Sequence, residues 1–297
     1  MKRILFFAAA MAALVSCQKN VTVTPENPSE AEKVKINLAV GVWTKITDTS
    51  FEPGDEVGIY VVNYVDGAEG KLKTSGNHYD NVKHTYGTSS WTHAEDMYWL
   101  DRSTKADFYC YYPYGTPGNV AEYPFSAKAD QSAQENYKSS DFAWGKAAGI
   151  APTSSTVQIA TNHIMSNMAI YVEPGDGFTA ETFAAADVAV SVRNVKTGAV
   201  IDLSNGAVTA SGAETTVTPY KDGTCYRAII VPQTVAEGSA LVVVTVNGTE
   251  YSLKKGFTFV SGEQHKFVVK VNKTGSGVNV GIGDWKTDGE DNGGSAE

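Results

Sequence analysis

Apolar residues recur at every second position from Val34 to Trp43. Val34, Ile36, Leu38, Val40 and Val42 fall on one face of an extended chain, and Lys35, Asn37, Ala39 and Gly41 on the other. A period of two over about ten residues predicts a strand buried on one side. The same alternation returns late, in Phe267, Val269 and Val271 and again in Val278, Val280 and Ile282. Between these ends lie short β-rich runs: VGIYVVNYV from Val57, ADFYCYY from Ala106, IYV from Ile170, VAVSV from Val188, YRAIIV from Tyr226 and ALVVVTV from Ala240.

Turn chemistry separates the runs. Pro53-Gly54-Asp55, Asp66-Gly67, Pro174-Gly175-Asp176 and Asp222-Gly223 are turn sequences, and Asn247-Gly248 between two β-rich runs predicts a two-residue hairpin. Only TAETFAAADV (Thr179 to Val188) has a helix composition, for about two turns. Many short strands with spaced turns predict an all-β protein of β-sandwiches. The stretch GKAAGIAPTSST, Gly145 to Thr156, is rich in small residues and follows a region dense in aromatics. It predicts a boundary between an N-terminal β-sandwich over 33–150 and a C-terminal one over 151–286. Residues 17–32 read as a polar tether and 287–297 as an acidic, glycine-rich flexible tail. No fixed-period repeat is present.

The first sixteen residues change the picture from a plain β-protein to an exported one. Lys2 and Arg3 precede twelve consecutive apolar residues, Ile4 to Val15. That run suits the core of a secretory signal and is shorter than the roughly 20 residues a membrane-spanning helix needs. Leu14-Val15-Ser16-Cys17 resembles a bacterial lipobox, in which cleavage leaves Cys17 as the N-terminus and its thiol and amine carry acyl chains; several chains anchor where one does not. Without Lys2 and Arg3 the formal charge is 22 − 33 = −11. So acidic a surface disfavours nucleic acid and anionic headgroups, leaving lipid on Cys17 as the predicted membrane attachment. Cys110 and Cys225 lie in segments assigned to different domains, so two buried free thiols are expected rather than a disulfide.

Reactive constellations are sparse. His78, His84, His93, His163 and His265 show no metal-ligand spacing, and no nucleophile elbow, P-loop or dinucleotide fingerprint occurs. Asp284, Asp288, Glu290 and Asp291 do not fit a calcium loop and read as a solvated tail. No cofactor is expected. The sharpest enzymatic arrangement is Glu95 with Asp101 beside Trp91 and Trp99, a carboxylate pair with aromatics as a glycosidase uses; core packing is the commoner fate of such aromatics. A glycan-binding surface, with Trp91, Trp99 and Trp144 stacking on sugar rings, is the alternative without catalysis.

A series of phrases in order carries more. FEPGDEVGIYV (Phe51 to Val61), MYWLDRSTKADFYCYYPY (Met97 to Tyr114), SDFAWG (Ser140 to Gly145), VQIATNHIMSNMAIYV (Val157 to Val172), YRAIIVPQTV (Tyr226 to Val235), GFTFVSGEQHKFVVKV (Gly256 to Val271) and IGDW (Ile282 to Trp285) together resemble the fimbrillin-like (Mfa-like) family, subunits of type V pili. The resemblance implies two tandem transthyretin-like β-sandwich domains, export as an outer-membrane lipoprotein, no enzymatic activity, and other fimbrial subunits as partners, with a host protein or glycan as a further ligand. It also implies strand exchange: a protease cuts after a basic residue beyond the first strand, that strand leaves, and a neighbour's strand fills the groove by β-augmentation. Carried onto this chain, the leaving strand is Val34, Ile36, Leu38, Val40 and Val42, and the cleavage site is Lys45. Lysine stands where the family often has arginine, so a cut here requires a protease that accepts lysine. Val278, Val280, Ile282 and Trp285 mark the donor strand, with a native edge strand of the second domain as the equal alternative; Gly281 and Gly283 weaken its β preference.

Overall fold

The computed structural model describes residues 33–42, 50–273 and 294–296. In chain order its first strands are β1 (Asn37–Val42), β2 (Glu56–Asn63), β3 (Tyr79–Tyr86), β4 (Trp91–His93), β5 (Ala106–Tyr112) and β6 (Tyr123–Ser126), then helix α1 (Gln134–Ser139), then β7 (Ala143–Ile150), β8 (Thr156–His163) and β9 (Ser166–Pro174). After helix α2 (Ala180–Ala184) come β10 (Val188–Asp202), β11 (Ala207–Val217), β12 (Tyr220–Asp222), β13 (Cys225–Ile230), β14 (Gln233–Val235), β15 (Ala240–Val246), β16 (Thr249–Lys254), β17 (Phe257–Phe259), β18 (Gln264–Val271) and β19 (Gly294–Ala296). The described residues are all-β apart from the two short helices, and those from Val34 onward form one compact unit.

Seven strands make one sheet in the order β1-β8-β7-β5-β2-β3-β4. The continuous apolar runs of β2 and β5 sit at its centre because both faces are covered, which is what such runs require. Val57, Ile59, Val61, Phe108 and Cys110 point into one core, and Tyr60, Val62, Tyr109 and Tyr111 into another. The sheet curls around the first core so far that its two edge strands approach: the Trp91 indole in β4 donates to the Val40 carbonyl in β1 at 3.0 Å.

Two further sheets, β11-β10-β15-β16 and β12-β13-β9-β18-β19, enclose a third core of Val190, Val192, Val242 and Val244 against Met168, Ile170, Phe267 and Val269. Asn247 and Gly248 turn the β15–β16 hairpin with φ of 48° and 83°, the positive values that a two-residue hairpin demands, and Val246 pairs with Thr249 as expected. Thr179 caps α2 reciprocally with Thr182, at the helix the composition predicts. The polar helix α1 was not predicted; it buries only Tyr137.

Three boundary expectations are corrected. Gly145 to Thr156 does not separate two sheets: β7 occupies its first half and β8 begins at its end, and a Cβ at Gly145 would strike the backbone carbonyl of Ala160 in β8, so its small residues serve close strand packing. The first sheet accordingly continues through β8 to His163, well past residue 150. Conversely β6, from the first half of the sequence, pairs with β10 of the second sheet, Tyr123 opposite Ile201. In the tail, Gly294–Ala296 pairs in parallel with Val269–Val271, because an open strand edge binds backbone and needs no apolar side chains. Cys110 and Cys225 are free and buried, as expected.

Candidate functional site: a docked edge strand

β1 holds its place through three kinds of contact. Its backbone pairs in parallel with β8 over six positions, Asn37 opposite Thr156 through Val42 opposite Thr161. Just before the strand, the chain crosses to other partners: Ile36 N–H donates to the Met97 carbonyl at 2.8 Å, and Trp99 N–H donates to the Val34 carbonyl at 2.9 Å. Side chains then tie the edges. Asn37 donates to the Ser154 carbonyl and Thr161 Oγ1 to the Gly41 carbonyl, both at 3.1 Å, and Lys35 pairs with Asp96 at 2.6 Å on the open surface. Such an exposed ion pair adds little, because water screens it and two long side chains must be ordered.

The alternation read from the sequence is met on the side chains described. Ile36 and Val40 are buried among Val57, Ile59, Met97, Phe108, Val157 and Ile159, while Val34 and Leu38 are half-buried against the same cluster. Full burial of an aliphatic side chain contributes about 1.5–3 kcal/mol, so Ile36 and Val40 are the main anchors. The side chain of Val42 lies outside the described residues, as do Cys17, Lys45, Val278, Val280, Ile282 and Trp285. β8 was missed as the partner of β1. Its own alternation, Val157, Ile159 and Thr161 buried between exposed neighbours, was the available signal.

The aromatic and acidic candidates prove structural. Trp99 is 3% exposed, its indole donating to the Thr153 carbonyl at 3.0 Å and its ring edge-on to Phe108 at 5.4 Å, so it has no face for a sugar. Trp91, besides holding Val40, packs edge-on to Phe51 at 4.8 Å. Trp144 donates to the Leu203 carbonyl at 2.8 Å and lies against Gly206, where a Cβ would meet its ring at 2.7 Å. Asp101 accepts four hydrogen bonds, from the N–H and hydroxyl groups of Ser103 and Thr104 at 2.6–3.1 Å. Those bonds, Thr104's first, hold its carboxyl well below the usual range, and Asp101 caps its own loop with them.

Of the histidines only His84 and His93 lie side by side, while His78 Nε2 lies 2.8 Å from the Tyr98 carbonyl and His265 Nε2 accepts from Val260 N–H at 3.2 Å. Among the described residues, no three His, Cys, Asp or Glu side chains converge on a metal position, and no helix is long and apolar enough to cross a membrane.

These features define an all-β protein distinguished by a docked edge strand over an apolar core. The fimbrillin-like family pattern matches residues 44–285, and the chain belongs to that family, one of fimbrial and adhesion proteins and not of enzymes. Among curated proteins it is similar to Fim1C, a candidate fimbrium subunit of Bacteroides uniformis, at 26% identity over 292 residues covering 93% of this chain and 92% of that protein. A candidate cell adhesion protein of Bacteroides uniformis has the same fold, with a TM-score of 0.63 at 20% identity over 91% of this chain and 98% of the other. Another, of Bacteroides ovatus, matches at a TM-score of 0.64 and 16% identity over 80% and 91% of the two chains.

Proposed function

We propose that this chain is a surface fimbrial subunit, structural or adhesive, that joins other subunits when β1 leaves and a neighbour's strand takes its place. The observation that carries the reading is the seam just described: β1 is an edge strand, yet Ile36 and Val40 sit in the core. Its departure would leave Val157 and Ile159 uncovered, the β8 edge unpaired, and the Met97 carbonyl and Trp91 indole without partners. A groove of that kind takes an extended strand with apolar residues at alternate positions, since main-chain bonds supply affinity and side-chain pockets set register. Val278, Val280 and Ile282 have that spacing.

In this reading the chain is exported, lipidated on Cys17 and held at the outer membrane by 17–32. Cleavage after Lys45 then releases β1 together with its lipid, and the membrane tether is temporary. Mass spectrometry of the mature N-terminus on intact cells tests it. Subunits in assembled fibres are expected to begin at Ile46, and a Lys45→Gln chain is expected to keep an acylated Cys17 and stay unassembled. Fibres whose subunits still begin at Cys17 overturn the strand-exchange step.

A further inference from the structure

The β5–β7 pair carries a constellation that strand exchange does not use. Lys146 in β7 lies opposite Tyr109 in β5, and its Nζ sits 4.8 Å from that ring's centroid. Asp107, two residues before Tyr109 on the same face, has a fully buried side chain with Oδ2 2.9 Å from Lys146 Nζ. That approach lies off the hydrogen-bonding direction, leaving Oδ2 without a hydrogen bond. Asp107 Oδ1, by contrast, accepts from the Gly149 N–H at 2.7 Å. Glu69 closes the group from the solvent side: its Oε1 is bonded to Lys146 Nζ while half its side chain remains in water. An amine, a carboxyl carbon beside it, a backbone donor on one carboxyl oxygen and a second acid touching the amine are thus assembled in one place.

We propose that Lys146 and Asp107 condense into an isopeptide cross-link between β7 and β5, with Glu69 carrying the proton. Glu69 accepts a proton from the Lys146 ammonium, and the freed lone pair attacks Asp107 Cγ. The negative charge that develops on Oδ1 is met by the Gly149 N–H, as an oxyanion hole would meet it. Glu69 then delivers that proton to Oδ2 and relays to it a second one from the attacking nitrogen, the Cγ–Oδ2 bond breaks, and Oδ2 leaves as water. An ammonium and a carboxylate become one amide and one water, and no oxidant or co-reactant enters.

Condensation is disfavoured in dilute water, but a held pair reacts at effective concentrations of about 10⁵–10⁸ M, and Asp107 is shielded from the solvent that would reverse the step. Burial opposes the Lys146 charge, but the hydrogen bond it donates to Glu69 and the facing Asp107 carboxylate outweigh it and raise the pKa above the ordinary lysine range. That is why an acceptor in contact with Nζ is needed before attack. The product would remove two charges from a partly desolvated site and fasten β7, the neighbour of β8, to the centre of the sheet.

Peptide mapping of the full chain by mass spectrometry tests this without requiring any variant to fold. Trypsin is expected to leave Lys146 uncut, and the 106–128 peptide is expected to appear joined to the one containing Lys146, lighter by one water than their sum. Recovering 106–128 and 139–146 as separate, unmodified peptides overturns the proposal. Lys146→Arg, which keeps the charge but lacks a suitable amine, is expected to abolish the joined species. Glu69→Gln is expected to slow its formation about 10²-fold; an unchanged rate overturns the role given to Glu69.

Discussion

Phe142→Ala is expected to destabilise the folded chain by about 3–5 kcal/mol, the range for truncating a fully buried aromatic. Phe142 is 0% exposed and stacks on Tyr111 at 5.9 Å between centroids, with Phe125 edge-on at 5.1 Å. Its cluster draws Tyr60, Val62 and Tyr109 from the curled sheet and Ala199, Ile201 and Ile229 from the strands of the second half. The void would therefore open where the two halves of the sequence meet, where neither sheet can close it alone. Urea unfolding followed by tryptophan fluorescence measures the effect, with a midpoint shift of several times the change per kcal/mol set by the slope. A loss below about 1 kcal/mol would mean that this cluster is not a shared core.

Acid is the second large lever. His84 in β3 is buried, its Nε2 has no hydrogen-bond partner, and its ring faces His93 at 5.1 Å. Burial lowers its pKa from 6.5 to about 4, against a backbone contact with the Val82 carbonyl that raises it. The unfolded chain therefore takes up this proton first. The neutral imidazole leaves stability unaffected above about pH 6.5, and stability falls as the pH drops from there towards 4, by up to about 3 kcal/mol from this one group. The difference in pH dependence between the wild type and His84→Asn isolates the effect, because carboxylates and the other histidines are common to both. Parallel stability curves between pH 7 and 4 would show that His84 is protonated in the folded state without cost.

The features that were legible are those with a local signature. The period-two face of β1 located Ile36 and Val40 in the core, Asn247-Gly248 placed a hairpin, and the unbroken runs of β2 and β5 mark strands covered on both sides. Partnership was not legible. β1 and β8 are separated by more than a hundred residues and pair in parallel, and nothing in either segment names the other. Small residues from Gly145 onward read as a domain boundary because composition cannot distinguish a break between sheets from a backbone that another backbone must approach closely. Indole orientation was equally hidden: Trp91 and Trp99 read the same in sequence, yet one closes the seam over β1 and the other is sealed in the core. The spacing Asp101-Arg102-Ser103-Thr104 did carry its answer, since an aspartate followed by Ser and Thr is a local turn-capping pattern before it is an acid pair.

The replacement of β1 by a strand from another copy of this chain is tested most directly by the molar mass of the mature protein after limited trypsin digestion, read by light scattering. Cleavage after Lys45 is expected to convert a monomer into particles of many subunits, and Lys45→Gln to remain monomeric under the same treatment. A chain fully cut after Lys45 that stays monomeric would contradict it.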